Sequence, residues 1–223
     1  AENFFTGQQG MPFQTIGSLM LEFNEHAGYT DYRRELDLEK AVASVKYKVG
    51  DVTYTRTLFT SLADNALIIR IEADKPGAVN FTARYNSPFK EYTVKKNGKN
   101  LLLSGRGSAH EGIPGAIRFE TRTQIKSEKG KVNVENDCIE VKGADAAVIY
   151  VTAATNYVNY KDVSGNETKR AADSMAKAMK SSYTQSLKSH EEAYQKLFGR
   201  VSLNVGASSQ EETSYRVKHF KEG

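Results

Sequence analysis

The sequence predicts a mainly β protein, an antiparallel sandwich or barrel with a short helical appendage. Period-two alternation of apolar and polar residues fills the first 150 or so positions, turn-forming pairs interrupt it at short intervals, and a helical period begins only after residue 160. Strands without helices between them argue against a βαβ arrangement.

Residues 17–23 and 32–38 open the series. The second places Arg33, Glu35 and Asp37 on one face and Arg34, Leu36 and Leu38 on the other, a pattern of like-parity charges that pair along a strand. Val45, Tyr47 and Val49 run into Gly50-Asp51 and resume as Val52, Tyr54, Arg56 and Leu58, which predicts a tight hairpin turn. Leu67, Ile69 and Ile71 share one face of residues 66–73, and Val79, Phe81, Ala83 and Tyr85 share one face of residues 79–85. With Lys75-Pro76-Gly77 between them, this pair also reads as a hairpin. Further strands are expected at 91–96, 100–105, 116–125, 131–135, 138–141 and 146–153, set apart by Asn97-Gly98, Glu128-Lys129-Gly130, Asn136-Asp137 and Gly143-Ala144-Asp145. Ala172, Met175, Ala176 and Met179 then form the apolar stripe of a first helix. Ser182 and Gln185 make a capping box for a second, with Leu187, His190, Tyr194 and Leu197 on one face and Gly199 as its stop. Residues 200–205 read as a returning strand, and 207–223 as a polar linker.

Composition removes several functions. The net charge of +4 comes from 31 basic and 27 acidic residues scattered along the chain, which argues against nucleic acid as a partner. No apolar run approaches the roughly 18 residues of a membrane-spanning helix, so no membrane insertion is expected. Cys138 has no second cysteine to pair with, and four dispersed histidines offer no zinc constellation. Neither a metal nor a cofactor is expected. Ala1 is followed by Glu2 and Asn3 with no basic leader, so any export signal is expected on a longer precursor.

Catalytic motifs are scarce. Gly105-Arg106-Gly107 starts like a dinucleotide loop but reaches His110 where the third glycine belongs. Two loop groups hold acid–base chemistry: Glu25 and His26 after the first strand, and His110 and Glu111 in the glycine-rich stretch 105–115. Both pairs are rim-loop candidates, and ordinary charged loops carry the same signature. His190, on an apolar helix face, reads as a hydrogen-bonded interior residue. Cys138 shares parity with Glu140 and is expected to face outward on a short edge strand. Tyr47, Tyr54, Tyr85 and Tyr92 serve either as core or as stacking platforms for a sugar.

Residues 11–23, MPFQTIGSLMLEF, followed by Asp31-Tyr32-Arg33-Arg34-Glu35-Leu36-Asp37-Leu38, resemble the "Y-Q-x-L-G-D-L-x-L-x-F … Y-R-R-x-L-D-L" signature of the family 95 α-L-fucosidases. Val52-Thr53-Tyr54-Thr55-Arg56, Ala73-Asp74-Lys75-Pro76-Gly77, Ala153-Ala154-Thr155-Asn156-Tyr157 and the stretch from His190 to Arg200-Val201 follow in the order of that family. Ser18 stands where the family often has Asp. The resemblance implies a galactose mutarotase-like β-supersandwich that precedes linker helices and an (α/α)₆ barrel in a bacterial, periplasmic or extracellular glycosidase. It further implies an inverting hydrolase of terminal α-L-fucosyl or related L-sugar linkages, with its catalytic residues on the barrel and none on this chain. Under that reading residues 1–158 are the sandwich without its first strands, 159–206 the helical linker with a returning strand, and 207–223 a tail toward the barrel. The expected partners are the chain's own barrel and an oligosaccharide, and unpaired edges predict dimers of the isolated piece. A stand-alone carbohydrate-binding sandwich and a structural domain of another hydrolase or lyase are the alternatives.

Overall fold

A computed structural model describes residues 14–204, 206 and 211–220. The strands, in chain order, are β1 (Ser18–Glu22), β2 (Thr30–Asp37), β3 (Val42–Val49), β4 (Val52–Ser61), β5 (Ala66–Ala73), β6 (Val79–Asn86), β7 (Tyr92–Asn97), β8 (Asn100–Arg106), β9 (Arg118–Glu128), β10 (Lys131–Val134), β11 (Cys138–Ala144) and β12 (Ala146–Thr155). The helices are α1 (Glu167–Ala178), α2 (Tyr183–Phe198) and α3 (Thr213–Lys218). The period-two reading therefore holds through residue 155.

Two antiparallel sheets result, an eight-stranded one of order β2-β3-β4-β5-β12-β9-β8-β7 and a four-stranded one of order β1-β6-β11-β10. Ile71, Leu101 and Ile149 of the large sheet meet Val79, Phe81, Ala83, Ile139 and Val141 of the small one in a core closed to solvent. The other face of the large sheet is covered by helices: Phe59, Ile68 and Tyr150 pack against Met175 and Ala178 of α1, with Leu187 of α2 beside them. A central strand such as β5 is thus apolar on both faces, Ile71 toward the small sheet and Ile68 toward the helices.

Several expectations need correction. Strands β5 and β6 do not form a hairpin: β5 pairs with β4 and β12, while β6 pairs with β1 and β11 in the other sheet. Residues 74–78 carry the chain between layers. Asp145 ties this crossing to two others, since Oδ1 accepts from Gly77 N at 2.7 Å and Oδ2 pairs with Lys129 Nζ at 2.7 Å. Those two contacts hold its carboxyl below the usual range, the lysine contributing most.

Cys138 does face away from the core, but it is buried at 4% exposure, and β11 lies between β6 and β10, not at an edge. Arg84, opposite it in the register and bonded to Asp137 at 2.6 Å, supplies the cover. Burial pushes the Cys138 thiol up despite the nearby guanidinium. The buried stripe of α1 is Ala171, Met175 and Ala178, rotated from the expected one, and Ala176 is exposed. Ser182 and Gln185 do form the capping box of α2. Residues 201–204 form no strand, and α3 occupies part of the stretch read as linker.

The register defines two ends. At the crossing end, Val49 faces Val52 and Glu128 faces Ala146; at the loop end, Arg106 faces Arg118, Phe119 faces Thr155 and Asp37 faces Val42. Helix α1 starts at the loop end, where Glu167 pairs with Arg118, and finishes at the crossing end, where the Met179 carbonyl accepts from Lys126 Nζ at 3.1 Å. Helix α2 returns, and Tyr194 Oη donates to Leu38 O at 2.9 Å. The chain thus leaves α2 at the loop end.

Candidate functional site

His110 and Glu111 sit between β8 and β9 in a connection that folds back on itself. His110 and Ile113 exchange backbone bonds of 3.0 and 2.9 Å, and Glu111 and Gly112 both take positive φ, 49° and 79°. Two successive left-handed residues make a type I′ turn, so Glu111 occupies a tight tip. His110 Nε2 lies 3.9 Å from Glu111 Oε1. The stem closes where Gly107 N donates to Ile117 O at 2.9 Å, and Gly115 packs so closely on the Gly107 carbonyl that a Cβ has no room.

Asn156 fastens this connection to the one after β12. Fully buried, it accepts from Arg118 N at 2.8 Å and donates to Ala116 O at 3.1 Å and Val163 O at 2.8 Å. The two connections stand side by side and present Ile113, Tyr157, Val158, Tyr160 and Val163 to solvent, Tyr160 at 83% exposure. Leu38 and Leu62, also exposed, belong to the same end.

Beside the stem, the outer face of β8 and β9 and the start of α1 border an open cleft of about 420 Å³ with a mixed polar and apolar lining. Thr93, Ser104, Arg106, Arg118, Glu120 and Thr168 line it. Glu120 is the buried carboxylate: Oε1 accepts from Arg122 Nε at 2.7 Å, and Oε2 accepts from Thr168 Oγ1 at 3.0 Å and Ser104 Oγ at 3.4 Å. Glu167 clamps Arg118 with bonds of 2.8 and 3.2 Å, which lowers the Glu167 pKa and raises that of Arg118. The sequence offered a weak sign of this site. Glu120 and Arg122 alternate with Thr121 and Thr123, a pattern that looks like a solvated face until α1 covers it.

Glu25 and His26 lie at the other end of the molecule. His26 Nδ1 is 2.8 Å from Tyr47 Oη, and its ring sits 4.3 Å from that of Tyr54, both strand residues at the crossing end. Arg56 donates to the same Tyr47 oxygen at 2.6 Å and lies 4.1 Å over the Phe23 ring. Four strands separate β3 from β8, about 24 Å of sheet. The two candidate pairs therefore face opposite directions and belong to no common site. Burial, then the Arg56 cation, lowers the His26 pKa against a smaller opposing pull from Glu25. The unfolded chain then takes up the proton first, so stability from this group is present above the ordinary histidine value and is lost as pH falls through it. His26→Gln is expected to reduce the fall in Tm between about pH 7.5 and about 5.5; an unchanged fall by differential scanning fluorimetry contradicts the assignment.

Tyr47 and Tyr54 are buried, and Tyr85 bonds Thr123 at 2.6 Å inside the sandwich; of the expected platforms only Tyr92 reaches solvent substantially. His190 is the interior residue expected, at 3% exposure, with Nε2 3.0 Å from Lys40 O and its ring stacked on Phe59.

The family model described as "Glycosyl hydrolase family 65, N-terminal domain" matches residues 1–160. Among curated proteins, "Alpha-L-fucosidase 2" of Arabidopsis thaliana is 32% identical over 97% of this chain, and "Probable alpha-fucosidase A" of Aspergillus niger is 24% identical over 86%. The chain spans only 30% and 26% of the lengths of these relatives. A solved structure titled "Putative kojibiose phosphorylase from human microbiome" superposes with a TM-score of 0.55 over 83% of this chain and 28% of its own, at 12% identity, and shares the fold. The two curated relatives come from a plant and a fungus, which lends no support to a bacterial source.

Proposed function

The chain belongs to the family of glycosyl hydrolase family 65 N-terminal domains, and from that membership we propose that it is the non-catalytic β domain of an enzyme that hydrolyses terminal α-L-fucosyl linkages, or related L-sugar linkages, with inversion. The fucosyl specificity rests on one observation, the 32% identity to an α-L-fucosidase along nearly the whole chain. The motif at residues 11–38 supports a placement with the family 95 enzymes; its first part, through Phe13, lies outside the described residues. Residues 1–158 make the sandwich, residues 159–206 link it onward, and residues 207–223 lead toward an (α/α)₆ barrel that supplies acid and base. Export to the periplasm or cell exterior belongs to the same reading.

The test uses the intact protein with its downstream polypeptide. Incubated with 2′-fucosyllactose, it is expected to release L-fucose whose first-formed anomer by NMR is β, while the 223-residue chain releases none. Release by the chain alone, abolished on changing His110 or Glu111, overturns the proposal.

The loop end is the face that meets the barrel. Helix α2 delivers the chain there, and an exposed group of apolar side chains of this kind marks an interface. His110 and Glu111 are then rim residues, and Glu25 and His26 are not. Ile113→Ser combined with Tyr160→Ser is expected to lower kcat/KM of the intact enzyme about tenfold, with His26→Gln at neutral pH within about twofold of the parent. Equal effects of the two changes in a steady-state assay rule out this orientation. Left uncovered, the same face favours self-association of the isolated chain; a sedimentation coefficient independent of concentration counts against that.

A further inference from the structure

We propose that the open cleft beside α1 is a saccharide-binding subsite on this non-catalytic domain, taking one neutral glycosyl residue. The identity of the glycan rests on the function proposed above, whereas the existence of the site does not.

The cleft has the size of small-ligand sites, about 420 Å³. Its lining carries three cations, Lys90, Arg106 and Arg118, and three anions, Glu91, Glu120 and Glu167. That balance selects a neutral ligand over a phosphate or a uronic acid, which a cleft of one sign attracts. Recognition of a sugar needs acceptors and donors set at the spacing of neighbouring hydroxyls and held before the ligand arrives. Glu120 supplies the acceptor, with its side chain only 6% exposed and its orientation fixed by Arg122 and Thr168. Arg118 supplies a donor edge, oriented by the fork of Glu167.

The contact from Ser104 to Glu120 is long at 3.4 Å, so a sugar hydroxyl that donates to the same carboxylate oxygen displaces little. Thr93 and Arg106 complete the mouth. Arg106 forms no ion pair among the described residues, and its guanidinium is available to a ring or hydroxyl oxygen. The Glu120–Arg122 pair contributes little over an apolar pair of equal volume, and Glu120, its carboxylate member, lines the cleft.

The experiment is a ¹H–¹⁵N titration of the 223-residue chain with 2′-fucosyllactose, lactose and, as the anionic comparison, glucuronic acid. Saturable shifts with a millimolar or tighter Kd are expected on amides of residues 92–93, 104–106, 118–120 and 167–168 for a neutral sugar. Arg106→Ala and Thr93→Val, which remove no contact that holds the fold, are expected to weaken binding about tenfold with Tm unchanged. Absence of saturable shifts, shifts confined to other residues, or tighter binding of glucuronic acid each overturns the proposal. Because the readout is binding to the chain alone, failure of the intact enzyme to cleave fucosides leaves it standing, and the converse holds equally.

Discussion

Glu120→Leu is expected to cost about 3–5 kcal/mol of folding stability, and the double change Glu120→Leu with Arg122→Leu is expected to recover most of it. The two side chains are 6% and 10% exposed and share a 2.7 Å bond beneath α1. Taking either charge out of water is expensive, and each is tolerated because the other neutralises it. Removal of the carboxylate alone leaves the largely buried Arg122 guanidinium without its partner, and it also releases Thr168, through which Glu120 holds the first turn of α1. Removal of both leaves an uncharged apolar pair beneath the first turn of α1. Urea denaturation of the two variants decides the matter: similar midpoints at unchanged m-value contradict a pair that matters through mutual neutralisation.

Asn156→Ala is expected to cost about 2–3 kcal/mol, since three part-buried backbone hydrogen bonds lose the buried side chain that makes them. Arg118 N–H, the Ala116 carbonyl and the Val163 carbonyl have this one side chain in common. The effect is expected to be local as well as global. Amide exchange should accelerate in residues 107–117 and 156–165 before it does in β5 or β12, and in the intact enzyme catalysis should fall with it. Uniform exchange across the chain, with activity retained, contradicts the role given to Asn156.

Much of the fold was legible in the sequence because alternation reports which residues of a strand share a face. Among the described residues it located the strands through residue 155 to within a few positions, and it placed Val79, Phe81 and Ala83 on one face, which the structure turns to the core. Alternation carries no information about partners. The segment Lys75-Pro76-Gly77 has the chemistry of a hairpin turn, yet β5 and β6 part at it into different sheets, since both faces of β5 are needed elsewhere. The same blindness hid the covering of Cys138, whose outward parity was correct but whose shield, Arg84, comes from a neighbouring strand. Residues 200–205 combine Val201, Leu203 and Val205 with strand spacing, yet residues 201–204 form no strand, because spacing alone supplies no pairing partner. The candidate site was the least legible part. Histidine–glutamate neighbours mark two loops at opposite ends, whereas the cleft is assembled from β7, β8, β9 and α1, whose side chains are adjacent only after folding.

The position of β12 between β5 and β9 has a consequence for biogenesis. As the polypeptide emerges from the ribosome, β2–β5 is complete by Ala73 and β7–β9 by Glu128, both before the strand that joins them, and each presents a margin with nothing to bond. The eight-stranded sheet is expected to close only once residues 146–155 clear the exit tunnel, so until then the nascent chain exposes strand edges that favour aggregation.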